Sequence, residues 1–273
     1  MKRIELVLIK TVNKLHYIRA IHAISEVCVL HFSTENEKKL KPLLSFFGIE
    51  YSTETHTGFT DVLDLITVDH SKPLTKIGEL ERPLIFANSL TNFLKNSWPE
   101  DKNLKFSFVG LFTKARKIVL LKWIKNLDSS IIYPFYLKYK PVTIALNLCN
   151  TFTKKKSLFY ISASKRGREF PSKSFDLNYF KILLRSKFVL CPSGDFVWTY
   201  RFYESILCGA IPVIEEYCEV YEGYIFKYFN DDINSFQWSE EIALYNYKLC
   251  VSQITVSQEE LSNLLLKNTG CNF

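Results

Sequence analysis

The chain of 273 residues predicts an α/β fold, made of two parallel-sheet domains in tandem with the smaller one first. Three observations carry that reading. Short, continuous apolar runs recur along the chain, stretches with helical spacing separate them, and the pattern pauses at one polar segment before starting again. Strands that are apolar throughout, and not on alternate residues only, belong to sheets covered on both faces.

In chain order, Ile4 to Ile9 reads as the first buried strand and Lys14 to Ser25 as a helix. Val27 to Phe32 is a second strand, and a helix from Glu35 to Phe47 ends at Gly48. Pro83 to Ala87 reads as a further strand, followed by a helix over Ser89 to Asn96. The linker is WPEDKN, Trp98 to Asn103, which is polar, short and contains proline. It sets domain bounds of 1–100 and 101–273. Beyond it, Lys105 to Val109 reads as a strand, Gly110 to Lys114 as a turn and Ala115 to Asn126 as a helix. Ser157 to Ser162 is the next strand, and Asp176 to Ser186 a helix capped by its own aspartate. Phe188 to Cys191 is a strand, Tyr200 to Cys208 a helix closed by Gly209, and Ile211 to Ile214 a strand. The acidic tail, Ser239 to Lys267, is helix-like and is expected to pack across the domains.

Composition excludes several classes. Hydrophobic residues make up 47% and aromatics 15%, enough for a packed core and too much for disorder. No apolar run approaches the roughly 18 residues of a membrane span. The opening MKRIELVLIK is interrupted by Glu5 and reads as a strand, not a leader. Seven cysteines without a CxxC fit buried free thiols in a reducing cytosol. All five histidines precede residue 71 without metal-ligand spacing, so neither a metal nor a cofactor is called for.

The net charge of +7 hides an uneven distribution. Residues 1–101 hold 12 basic and 13 acidic side chains, residues 102–187 hold 19 and 3, and residues 188–273 hold 4 and 12. A middle segment of +16 makes an anion the first partner to expect.

The densest chemical signal is SKFVLCPSGDFVWTYRFYESILCGAIPVIEE, Ser186 to Glu216. It reads as a buried strand, a Pro-Ser-Gly turn, a helix and a second strand. In open α/β sheets ligands collect at the carboxyl ends of strands. The amides of Ser193 and Gly194 and the start of the next helix are candidates for a phosphate there. Arg201 and Glu204, three apart, share a helical face and suit a diphosphate and a ribose hydroxyl. The alternative for that pair is a surface salt bridge. Trp198 and Tyr200 flank the loop and suit either stacking on a base or ordinary packing.

This stretch resembles the donor-binding half of exostosin-type glycosyltransferases, which show Arg-Phe-x-Glu-x-Ile-x-x-Gly-x-Ile-Pro-Val-Ile where this chain has RFYESILCGAIPVI, Arg201 to Ile214. A more distant likeness is to fucosyltransferases of the same two-domain plan. SFVGLFTKAR, Ser107 to Arg116, looks like the strand-turn-helix that opens such a donor domain. The resemblance covers Ser107 to about Asp232 and leaves the first hundred residues without a family motif. It implies a GT-B-like fold of two Rossmann-like domains facing a cleft, residues 1–100 on the acceptor side and 101–273 binding the donor, and inverting transfer of a sugar from a nucleoside diphosphate without an essential metal. By position it places Ser193 and Gly194 near the diphosphate, Arg201 as its counter-charge and Glu204 on ribose or base.

Two further groups complete the expected site. KRGR, Lys165 to Arg168, follows the strand YISAS and presents Arg166 and Arg168 at its carboxyl end. Gly110, Thr113, Lys114 and Arg116 form the matching loop-to-helix corner; Lys154 to Lys156 read as a solvated face. For the general base the loop THTGFTD offers His56 and Asp61, and Asp69-His70 is another choice, each more readily read as an ordinary loop residue. The expected partners are a UDP- or GDP-linked donor and a glycan or lipid-linked acceptor, in a cytoplasmic protein with peripheral membrane contact and no nucleic acid. The competing readings are a non-catalytic binder of sugar nucleotides and a nucleic-acid module using the basic segment, which lacks an RRM, KH or zinc-finger signature.

Overall fold

The computed structural model describes residues 4–12, 14–54, 58–111, 113–125, 157–164 and 174–269. The chain forms two compact units: Met1–Phe93 with Glu169–Phe175 and Val251–Phe273, and Leu94–Arg168 with Asp176–Cys250. The crossing after Phe93 falls within a helix, ahead of the WPEDKN segment, and the last helix returns to the first unit.

The first unit begins with β1 (Ile4–Leu8), α1 (Leu15–Ser25), β2 (Cys28–Phe32), α2 (Thr34–Phe46) and β3 (Tyr51–Ser52). The three strands form a parallel sheet in that order, with Ile4 opposite Cys28 and Leu30 opposite Tyr51. Ser33 caps α2 by accepting from the amide of Asn36, so the helix starts one residue ahead of the expected Glu35. Next come a short α3 (Val62–Leu65) and an antiparallel meander, β4 (Ile66–Asp69), β5 (Leu74–Ile77) and β6 (Leu80–Arg82). The sequence reading assigned no strands there, because ITVD, LTKI and LER are short and partly polar.

Pro83 to Ala87 is not a strand, contrary to expectation. Leu84, Ile85, Phe86 and Ala87 are buried as their apolarity demands, but the Phe86 amide donates to the carbonyl of Ile254 at 2.7 Å. The segment leads into α4 (Asn88–Asn96), and α9 (Gln258–Thr269) completes the unit.

The second unit runs β7 (Leu104–Leu111), α5 (Lys114–Lys125), β8 (Ser157–Ser164), α6 (Leu177–Leu184), β9 (Ser186–Cys191), α7 (Tyr200–Leu207), β10 (Ile211–Ile214), β11 (Lys227–Tyr228) and α8 (Glu240–Ile254), which passes into the first unit at Val251. All five strands are parallel, in the spatial order β8-β7-β9-β10-β11. Relative to the chain this is 2-1-3-4-5, a doubly wound order whose direction reverses between β7 and β9. That reversal fixes where a ligand belongs in such a sheet: at the carboxyl ends of those two strands.

One face of the sheet carries an aromatic core. Phe106, Phe108, Phe188, Leu190, Ile211 and Val213 pack with Leu120 and Trp123 of α5 and with Phe229 and Phe236. Phe106 meets Trp123 edge to face at 4.9 Å and Phe236 at 5.5 Å. Each such buried ring stabilises the fold by roughly 1.5–3 kcal/mol. Asp176 caps α6 as expected, its carboxylate accepting from the amide of Tyr179.

The helix ends opposite the reversal point are tied together by Lys102, which is 2% exposed. Its Nζ donates to the carbonyls of Leu184 and Cys208, at 2.5 and 2.8 Å, where α6 and α7 end. Gly209 then closes α7 with φ +71°, and the Trp98 ring lies where a Cβ would stand. The Trp98 indole donates to the carbonyl of Leu207 at 2.9 Å.

Candidate functional site

The reversal point is built from two corners, one after β7 and one after β9. In the first, the Thr113 hydroxyl accepts from the amide of Arg116 at 3.2 Å and starts α5. In the second, Thr199 caps α7 by accepting from the amide of Arg201, also at 3.2 Å. Each helix therefore delivers an arginine within its first turn.

The two arginines cross. Arg201, from the corner after β9, donates through Nε to the carbonyl of Val109 at 3.0 Å, and its guanidinium lies over the Phe108 ring at 4.5 Å. It rests on Gly110, at the spot a Cβ would fill. Arg116, from the corner after β7, donates through Nε to the carbonyl of Ser193 at 3.0 Å and through Nη1 to Leu111 at 3.3 Å. It rests on Gly194 in the same manner. Each glycine of one corner makes room for the arginine of the other.

Electrostatics make this crossing costly unless an anion joins it. Arg201 is 6% exposed, and its Nη1 has no hydrogen-bond partner among the described residues. Arg116 is half-buried, and burial lowers its pKa from the ordinary value, with the nearby Arg201 charge second; Asp195 acts in the opposite direction. Two guanidiniums held close, with a buried donor left over, concentrate positive charge at these corners. Cys191, beneath them at the end of β9, is inert: burial pushes its thiol up to about 12.

The other expected residues are placed as follows. Gly110, Thr113, Arg116, Ser193, Gly194, Tyr200, Arg201 and Glu204 all belong to these two corners and α7. The amides of Ser193 and Gly194 are both engaged, the first by the Glu215 carboxylate at 3.3 Å and the second by the carbonyl of Phe196 at 3.0 Å. Glu204 is fully buried and accepts from the Tyr179 hydroxyl at 2.7 Å, so the pair Arg201 and Glu204 is no surface salt bridge. Tyr200, half-buried at the first position of α7, meets the Trp198 ring at 5.2 Å. Arg166, Arg168 and His56 lie outside the described residues, as do Lys165 and Lys154 to Lys156.

Asp61 and His70 lie in the first unit. Asp61 accepts the amides of Ile9 and Lys10 with one oxygen, at 3.1 and 3.0 Å, and that of Leu63 with the other at 2.9 Å. These three bonds pin the chain after β1 to the start of α3. His70 faces His16, ring nitrogen to ring nitrogen, at 3.4 Å.

Sequence reasoning missed Glu215, an exposed carboxylate at the end of β10. The signal was present: it directly follows IPVI, a strand whose carboxyl end points to the same side of the sheet as that of β9. Among the described residues no group of three His, Cys, Asp or Glu could hold a metal ion. The five described cysteines are free, and four of them are buried.

Comparison with known proteins reaches the second of these corners. Residues 143–224 match the family model of the RXYLT1 C-terminal domain, one of the exostosin-like glycosyltransferases. This segment is similar to that domain. The match takes in β9, α7, β10, Ser193, Arg201 and Glu204; of the likeness expected over Ser107 to about Asp232 it covers the later part and does not reach SFVGLFTKAR. Among solved structures the chain is similar to Anabaena Alr3699/HepE, crystallised in complex with UDP, at 10% identity and a TM-score of 0.33. That likeness covers 67% of this chain and 52% of the other, so the chain spans about half the length of that protein. At that distance it carries no argument for the site. No curated protein matches the sequence. No helix among the described residues is long and apolar enough to cross a membrane.

Proposed function

We propose that this exostosin-like chain transfers a sugar from a nucleoside diphosphate, linked to UDP or GDP, to a hydroxyl of a glycan or lipid-linked acceptor. One observation carries the reading: two arginines cross at the reversal point of the sheet, one of them 6% exposed with a buried nitrogen that no described residue satisfies. A diphosphate supplies the missing acceptor and separates the like charges. It is also the group on which negative charge grows as the sugar departs.

In that reaction the acceptor hydroxyl loses its proton to a base, its oxygen bonds to the anomeric carbon, and the carbon–oxygen bond to the diphosphate breaks. The leaving diphosphate takes the electron pair and is held by Arg201 and Arg116. Attack from the face opposite the leaving group gives inversion. Because both cations come from the protein, donor binding is expected to persist in EDTA. A role in surface glycan synthesis at a membrane face fits the acceptor class.

Isothermal titration with UDP and GDP tests the reading, using wild type, Arg201→Lys and Arg116→Gln. Binding of one nucleotide by wild type, weakened in both variants, supports it. No binding of either nucleotide by the folded wild type, or unchanged affinity in both variants, overturns it.

A further inference from the structure

Beyond the arginine corners, the second unit carries an exposed aromatic surface that the donor reading does not use. Tyr217 is 47% exposed, Ile225 40%, Tyr228 37% and Tyr245 50%. Tyr217 and Tyr228 flank Phe226, with ring centroids 6.4 and 5.4 Å from it. Phe226 in turn lies against the buried Phe202 and Tyr221, whose rings stack at 3.7 Å. The exposed rings are therefore backed by core, and the Tyr245 hydroxyl is held by the carbonyl of Gly223 at 3.0 Å. A platform of this kind binds without first having to be ordered.

Two observations say what it binds. From Glu215 to Asp232 the chain has six acidic residues and only Lys227 as a base. Glu216, Glu219 and Glu222 are exposed around Tyr217, and its phenol is pushed upward first by partial burial and then by Glu222 and Glu219. Such a surface repels anionic lipid headgroups and nucleic acid, while its carboxylates accept from hydroxyl and ammonium groups. Secondly, the platform continues into the arginine corners: Glu215, two residues before Tyr217, accepts the amide of Ser193.

We infer that the face formed by Tyr217, Phe226 and Tyr228 takes an oligosaccharide, neutral or amino-substituted, stacking its C–H faces on the rings and its hydroxyls on the surrounding glutamates. Resting on the transferase reading, this identifies the acceptor as a glycan and puts its recognition on the same unit as the donor.

A glycan array of neutral, amino-sugar and acidic oligosaccharides, probed with wild type, Tyr217→Ala and Tyr228→Ala, is the test, with vesicles of phosphatidylcholine and phosphatidylglycerol (3:1) alongside. The expected result is capture of neutral or amino-sugar glycans by wild type, a loss of tenfold or more in both variants, and no vesicle binding. Circular dichroism and UDP titration on the same variants show that the fold and donor site persist. Absence of such capture by wild type, capture equal in all three proteins, or vesicle binding that depends on Tyr217 overturns the inference. Because UDP affinity is read separately, loss of the donor reading and loss of this one are distinguishable.

Discussion

The two units bury polar side chains to different ends. In the first, His16 and His22 are almost fully buried, and burial holds each well below the ordinary imidazole value, at about 3, with His70 and Lys14 adding to the effect on His16 and Arg19 to that on His22. Both are therefore neutral. Two carboxylates of this unit are engaged by backbone: Asp61 by three amides, and Glu26 by the amides of Asn88 and Ser89 at the start of α4, at 3.0 and 2.7 Å. In the second unit the buried groups include Arg201 and Lys102. Lys102 has both helix ends to satisfy it, whereas Arg201 keeps a nitrogen without a partner among the described residues. A buried charge whose nitrogen is held by carbonyls ties a fold together; one with a nitrogen left without an acceptor marks a place for a ligand.

Separate pH windows should distinguish the units most strongly, each gaining stability as pH rises. The unfolded chain binds protons on His16 and His22 below about pH 6.5, while the folded first unit does not do so until about pH 3. Stability is therefore full above the unfolded value and is lost as pH falls toward 3, by on the order of several kcal/mol in all. Lys102 is lowered by burial to about 8 against an ordinary 10.5, so the second unit gains stability as pH rises between those values. Amide exchange read by mass spectrometry at pH 5, 7 and 9 checks both windows. Protection falling first in α1 and β2 in acid is expected, and uniform loss across both units contradicts the contrast.

Arg201→Ala comes next. It removes charge-assisted hydrogen bonds of about 1.5–3 kcal/mol, so nucleotide affinity should fall roughly 10- to 100-fold. Lys102→Met leaves the carbonyls of Leu184 and Cys208 without a donor and should cost about 1–3 kcal/mol in urea unfolding, with nucleotide affinity intact. Smallest is Glu26→Ala, which uncaps α4 at about 1 kcal/mol and should leave nucleotide binding untouched. Coupling of either structural variant to nucleotide affinity would break the division between holding and binding.

Much of the second unit was legible in sequence. FVLC and IPVI are apolar throughout because they become inner strands, and RFYESIL has the spacing of a helix packed on them. The corners at Gly110 and Ser193 were legible as loop-to-helix turns. Their crossing was not: Gly110 and Arg201 are 91 residues apart, and only the placing of β7 beside β9 brings them together. The depth of Glu204 was equally hidden, since its partner Tyr179 comes from another helix. In the first unit the meander escaped notice because its strands are too short for an alternation to register. Pro83 to Ala87 misled because burial, and not strand pairing, explains its apolarity.

Crystals of the chain grown with UDP and with GDP test the central claim most directly. The account expects the diphosphate of the nucleotide that binds to lie between Arg116 and Arg201, with Nη1 of Arg201 within hydrogen-bond distance of a phosphate oxygen. A nucleotide bound elsewhere, or one at the corners with its diphosphate turned away from both arginines, would contradict it.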